Sequence, residues 1–319
     1  MARLLTEERT QPFDVTAPPV LRFTLVQLAA EQYRLVLTIH HILLDGWSIP
    51  VVVQDLLTLY AHEGDDRTLP HVAPYRDYLG WIAAQDCEAA HSAWQNALAG
   101  LEGPLHLAAA RPGPAAAPEQ ITLALPEHLT ATLSQQARAH GLTLNTILQG
   151  AWAILLGRLS ARDDVVFGIT VAGRPPELSG IESMVGLFIN TLPLRIRLWP
   201  AKSLLQLFEE VQNNQSLLMP HQHLGLAEIQ RLAGLGELFD TLLVFENYPV
   251  DPDRAGAVAD AGGLRLTGIE GHDATHYPLT LVAVPGRQLQ LRLSYRPDLF
   301  DRATVEGMAA RLVRLLAVA

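Results

Sequence analysis
A mixed α/β fold of the α+β type, with antiparallel strands in each half, follows from three observations. Short runs rich in β-formers occur early and late, such as Tyr33 to Ile39 (YRLVLTI) and Leu289 to Tyr295 (LQLRLSY). Longer segments between such runs carry apolar residues at helical spacing, such as Val51, Val52, Leu56, Leu57 and Tyr60. Residues 101–120, which contain RPGPAAAPE, have the proline, glycine and alanine content of a linker. A domain boundary is placed there, between residues 1–100 and 121–319.

In chain order, Val20 to Ala29 and Tyr33 to Ile39 form an antiparallel hairpin, with a turn between them. Ser48 has the chemistry of a helix cap and opens a helix through Gly64. Helices are expected from Tyr75 to Gln85 and from Glu88 to Ala99. Beyond the linker, Ile121 to Leu125 reads as a strand. Pro126 to Gly141 and Thr143 to Ser160 read as helices, the second apolar enough to be buried. Strands are expected at Val165 to Thr170, Phe188 to Leu198, Thr241 to Glu246, Leu279 to Val284 and Leu289 to Tyr295, with a closing helix from Arg302 to Ala317.

The chain has 319 residues, 49% hydrophobic and only 18% charged, which suits a large buried core rather than disorder. Its formal net charge of −10 argues against nucleic acid as a partner, because phosphate binding needs clustered Lys and Arg. Cys87 is the sole cysteine, so no intramolecular disulfide can form. The start, MARLLTEERTQPFD, lacks the apolar core of a signal peptide. No apolar run approaches the roughly 20 residues of a membrane span. A cytoplasmic protein with no membrane association is the expectation.

Chemistry concentrates in HHILLDGWS, His40 to Ser48, which follows the second hairpin strand. Side chains alternate along a strand, so one histidine is expected to face a cleft and the other the core. An imidazole is the natural base near neutral pH. Asp45 can fix the loop by pairing with an arginine, Arg174 first and Arg22 second, because a buried carboxylate needs a partner. Gly46 allows close approach to the backbone. A zinc site lacks a third ligand at suitable spacing, and no metal is expected. No G-x-S-x-G elbow, P-loop or dinucleotide fingerprint is present. From the residues alone, a general base and a structural histidine both remain open.

HHILLDGWS resembles the HHxxxDG signature of nonribosomal peptide synthetase condensation domains, within the chloramphenicol acetyltransferase-like superfamily. Further landmarks follow in the family's order. PYRDYLGW (Pro74 to Trp81), FGITVAGRPPEL (Phe167 to Leu178), VGLFINTLPLR (Val185 to Arg195), MPHQHLGLAEIQ (Met219 to Gln230), FDTLLVFENYP (Phe239 to Pro249) and HDATHYPLTL (His272 to Leu281) all resemble family segments. Trp47 precedes Ser48 and Ile49 follows it, which favours condensation over epimerisation.

The resemblance implies two chloramphenicol acetyltransferase-like lobes in a V, the N-terminal lobe incomplete here. It implies amide formation between a carrier-bound donor acyl or peptidyl thioester and the amine of a carrier-bound aminoacyl thioester. His41 would be catalytic, within a set of His40, His41, Asp45 and Gly46, whether it removes a proton or positions the amine. Trp47, Ser48 and Asn190 would contact substrate, and Asp45 would pair with Arg174. No cofactor would be bound; phosphopantetheine would arrive on donor and acceptor peptidyl carrier proteins, beside an adenylation domain. The family has an earlier stretch with a first strand and two motifs, so the 319-residue chain is not expected to be a competent catalyst alone. Two other readings stand beside this one. One is a carrier-docking module or decayed fragment without chemistry, and the other an acyltransferase using coenzyme A.

Overall fold
A computed structural model describes residues 1–109, 116–247, 263–268, 270–271 and 275–319. The expected linker is thus described only in part, and His272, Tyr248 and Pro249 lie outside the described residues. The chain divides into two compact units. The first comprises Met1–Ala83, Arg174–Ile189 and Tyr248–Ile269; the second comprises Ala84–Gly173, Asn190–Asn247 and Glu270–Ala319.

In the first unit, helix α1 (Ala2–Thr10) precedes a hairpin of β1 (Leu21–Ala29) and β2 (Gln32–Ile39). The register sets Phe23 opposite Leu37 and Leu25 opposite Leu35, and sets Arg22 opposite Thr38 on the other face. Glu8 of α1 accepts hydrogen bonds from Arg22, Thr24 and Thr38, so the polar face is the one the helix covers. Phe23, Leu25 and Leu35 are exposed on the apolar face.

Helix α2 (Ser48–Ala61) follows the histidine-bearing turn, and α3 (Tyr75–Ala83) comes next. Ser48 is the first helical residue rather than the cap, and its side chain does not cap the helix. Asp45 Oδ1 instead takes the Ser48 N–H at 3.0 Å. A small core forms where Tyr78 of α3 meets Ile181, Met184 and Phe188. Here the chain returns 112 residues later in sequence to accept the Tyr75 hydroxyl on the Leu187 carbonyl at 2.5 Å.

The second unit is built on a six-stranded sheet, ordered β3-β8-β7-β6-β4-β5. Its strands are β3 (Glu119–Ala124), β4 (Asp164–Val171), β5 (Asn190–Arg197), β6 (Thr241–Phe245), β7 (Leu279–Val284) and β8 (Gln290–Tyr295). The expected antiparallel strands occur in both halves, as the pairs β1-β2, β3-β8, β7-β8 and β4-β5, while β6 pairs in parallel with both β4 and β7. Parallel neighbours require a crossover, and the one from β4 to β6 runs through β5, α7 (Leu204–Leu218) and α8 (Leu226–Ala233). Pro193, which has no N–H to donate, sits on β5 at the sheet edge.

Helix α6 (Leu144–Ser160) is buried along most of its length, as its composition predicts. Thr143 caps it by accepting the Thr146 N–H at 3.0 Å. Helices α5 (Glu127–Ala139) and α9 (Arg302–Leu316) also contribute to this core.

The compact units depart from a cut at 101–120. Helix α4 (Cys87–Leu98) belongs to the second unit because Trp94 and Leu98 are buried in its core. Arg195 of β5 also donates to the carbonyls of Ala97 and Ala99. Leu101 and Leu105 are buried as well, and Leu105 bridges to Phe239. The Asp240 carboxylate accepts the N–H groups of Leu107 and Ala108 at 3.0 and 2.7 Å. Residues 101–108 are therefore a docked segment. Burial raises the Asp240 pKa above the usual carboxylate range, and these two hydrogen bonds oppose the rise.

Candidate functional site
Strand β2 ends at Ile39, so strand alternation no longer governs the two histidines that follow. Both are exposed, which corrects the expectation that one faces the core. The His40 ring accepts the Ile42 N–H at Nδ1, 3.1 Å away, and stands edge-on to Phe13 at 6.4 Å between centroids. His41 occupies the turn itself, with Nδ1 3.3 Å from the Leu44 carbonyl oxygen. A carbonyl only accepts, so this contact is a hydrogen bond when Nδ1 carries the proton. In the neutral ring, Nε2 is then the nitrogen with the lone pair.

The turn is held from beneath by Asp45, which is 3% exposed. Asp45 Oδ1 accepts from Ser48 N at 3.0 Å, Ser48 Oγ at 2.9 Å and Arg174 Nη2 at 3.2 Å. Its Oδ2 accepts the Phe188 N–H at 3.1 Å, and its own N–H reaches the Gly186 carbonyl at 3.0 Å. A charge so enclosed is tolerated because every side of it meets a donor.

Arg174 brings the second charge. Its Nη1 donates to the carbonyls of Ile181 and Met184, and its Nη2 also reaches Ser48 Oγ at 3.0 Å. The guanidinium carbon lies 3.9 Å from the centre of the Phe188 ring and 5.5 Å from that of Trp47. Burial pulls the Arg174 pKa below its ordinary value, and the Asp45 carboxylate pulls it back up. The other candidate, Arg22, pairs with Glu8 instead, at 3.1 Å.

The remaining residues singled out by sequence have defined places. Gly46 lies half-buried in the turn that Ser48 N closes on Asp45 O. Trp47 donates its indole N–H to the Glu182 carbonyl at 3.2 Å. Ser48 is fully buried; its hydroxyl lies within hydrogen-bond distance of Asp45 Oδ1 and the Gly186 carbonyl, and it accepts from Gly186 N and Arg174. That geometry makes Ser48 a positioning residue of the loop. Asn190, in the other unit, donates both side-chain hydrogens to the carbonyls of Gln222 and Leu224. His221 and Gln222 lie between α7 and α8, in a turn that opens with a short 3-10 segment at Met219–His221. The His276 ring lies tilted by 33° to that of its neighbour Tyr277, with ring centroids 4.1 Å apart.

Sequence reasoning gives no role to Gly186 or Phe188 and only a helix-packing one to Tyr75, yet these build the floor of the loop. A Cβ on Gly186 would overlap the Tyr75 ring, so the strap that reaches Asp45 needs glycine there. The available signal is the pairing of PYRDYLGW with VGLFINT, two apolar segments far apart in sequence. Among the described residues, no three His, Cys, Asp or Glu side chains group closely enough to hold a metal ion. None of their helices is long and apolar enough to cross a membrane.

The fold of this chain has counterparts among known proteins. In fold the chain is similar to the X-domain from teicoplanin biosynthesis, with a TM-score of 0.84 and 26% identity over 99% of this chain and 75% of that one. It is also similar to the first condensation domain of the calcium-dependent antibiotic synthetase, with a TM-score of 0.74 and 24% identity over 99% of this chain and 73% of that one. The family described as Condensation domain matches residues 1–319, and the chain belongs to that family. A linear gramicidin synthase polypeptide of Brevibacillus parabrevis is 37% identical over 99% of this chain, and bacitracin synthase 3 of Bacillus licheniformis is 35% identical over 97% of it. The matches span only 6% and 5% of those relatives' lengths.

Proposed function
We propose that this chain is the amide-forming domain of a nonribosomal peptide synthetase. The donor is an acyl or peptidyl group on a carrier-protein phosphopantetheine thioester. The acceptor is the amine of an aminoacyl group on a second carrier. The amine nitrogen attacks the thioester carbon, and a C–N bond forms as charge moves onto the carbonyl oxygen. Collapse of that intermediate breaks the C–S bond and expels the phosphopantetheine thiolate. The proton lost by the amine is taken up at His41 Nε2 and returned to the thiolate, so the products are an amide and a thiol.

The observation that carries this reading is the Nδ1 contact of His41 with the Leu44 carbonyl, which directs the basic lone pair to Nε2. Asp45, Arg174 and Ser48 act by holding the turn that presents this nitrogen. Carrier proteins and a neighbouring adenylation domain are the partners this chemistry requires.

The test supplies the protein with carrier-bound donor and acceptor, and separately with the acyl-coenzyme A and a free amine. Mass spectrometry of the intact carriers reads the product. The expected result is an extended acyl chain on the acceptor carrier and none from acyl-coenzyme A alone. Turnover with acyl-coenzyme A and none between carriers would replace this reading with a coenzyme A-dependent acyltransferase. Carrier binding without product would make the chain a docking module.

A further inference from the structure
The turn from Met219 to Gly225 joins α7 to α8 and is held from outside. Within it, Gln222 N reaches Met219 O at 3.2 Å and Leu224 N reaches His221 O at 3.4 Å, both at the long end of hydrogen bonding. Gly225, the N-cap of α8, offers no side chain to the helix start. A reversal this tight turns carbonyls outward, and carbonyls need donors.

Two elements distant in sequence supply them. From α4, Trp94 donates its indole N–H to His221 O at 3.0 Å. From the first residue of β5, Asn190 Nδ2 donates to Gln222 O at 2.9 Å and Leu224 O at 2.8 Å. His91, one turn before Trp94 on α4, lies 2.8 Å from Glu228 and ties α8 to the same helix. All of these residues belong to the second unit.

A primary amide carries two hydrogens on nitrogen, and both of Asn190's are committed. A substrate carbonyl can claim one only by taking it from the turn. We infer that Asn190 is a positioning residue: with Trp94 it clasps the Met219–Gly225 turn, and its influence on activity runs through that turn rather than through contact with substrate. The activity part of this inference rests on the amide-forming reading; the structural part does not.

The experiment compares Asn190→Asp, Trp94→Phe and the double variant with the wild-type chain. Asn190→Asp keeps size but removes both donors; Trp94→Phe keeps an aromatic ring but removes the N–H. Amide hydrogen exchange is followed by residue, together with amide formation between carriers. The expected result is exchange of Gln222 and Leu224 faster by roughly tenfold in each single variant, with exchange in Val165–Ile169 of β4 unchanged. The double variant should be faster than either single one by less than the product of the two factors, because both clasps hold one turn. Rates of amide formation should fall in Trp94→Phe as well as in Asn190→Asp. Unaltered exchange at Gln222 and Leu224 in Asn190→Asp would overturn the inference. So would activity lost in Asn190→Asp and kept in Trp94→Phe, the pattern of a direct substrate contact. If the wild-type chain forms no amide, the amide-forming reading fails while the exchange comparison still decides the clasp.

Discussion
Arg174 Nη2 lies 3.2 Å from Asp45 Oδ1, a pair that joins points 129 residues apart in sequence and leaves each side chain 4% exposed. Neither charge meets bulk water, so each depends on the other and on the surrounding carbonyls and N–H groups. Removing one partner leaves a buried charge uncompensated, at a cost of about 3–5 kcal/mol. Asp45→Ala and Arg174→Met are each expected to destabilise the first unit by that amount in chemical denaturation followed by hydrogen exchange of its backbone amides. The double variant should lose less than the sum. Strict additivity would show that the two side chains do not sense one another.

Gly186 carries a different kind of constraint. Gly186→Ala should drive a Cβ into the Tyr75 ring and loosen the Tyr75 bond to Leu187 O. Overpacking of this kind costs about 1–3 kcal/mol. The paired variant Gly186→Ala with Tyr75→Ala, which vacates the space, should recover part of that loss by thermal denaturation. No recovery would mean the ring is not what the glycine accommodates.

Alkaline pH gives a third test. Burial pushes the Tyr78 hydroxyl from 10.0 up to about 12. The folded state therefore favours the neutral phenol more than the unfolded chain does. Stability is intact below pH 10 and is lost as pH rises towards 12, by about 3 kcal/mol for a two-unit shift. Tyr277, beside Phe239 in the second unit, is raised to about 12 in the same way. Tyr78→Phe should move the alkaline unfolding of the first unit to higher pH. An unchanged midpoint would show that Tyr78 does not titrate against folding.

The exposed apolar face of the hairpin predicts behaviour at high concentration. Phe23, Leu25 and Leu35 lie together on it, with Leu25 67% exposed, and the two-stranded sheet has both edges unpaired among the described residues. Leu25→Lys should lower concentration-dependent light scattering without lowering the melting temperature. Equal scattering from both proteins would place self-association elsewhere.

Much of this fold is legible in the sequence because its signals are local. The hairpin, the buried α6 and the run Val165 to Ile169 each announce themselves by period and composition. Helix α7 carries a local signal too, since Ser203 and Gln206 form a capping box ahead of an apolar segment. What the sequence hides is pairing between distant segments. Nothing local to FDTLLVF says that it runs parallel to β4 and β7, or that residues 84–108 join the second unit. The site divides in the same way. His41 and Asp45 are marked by their own motif. The hydroxyl of Ser48 reads as a cap or a ligand until the Gly186 strap and Arg174 appear around it.

The account turns on His41 Nε2, and the most direct measurement is the single-turnover rate of amide formation between donor and acceptor carriers in His41→Ala, His40→Ala and the wild-type protein. A base in the reacting step is worth about a hundredfold or more, so His41→Ala should lose at least that. His40 is exposed, and the described contacts of its side chain are with Ile42 N and the Phe13 edge, so His40→Ala should stay within a few fold of wild type, with folding preserved in both variants. Full activity in His41→Ala, or a larger loss in His40→Ala, would contradict the assignment of the base.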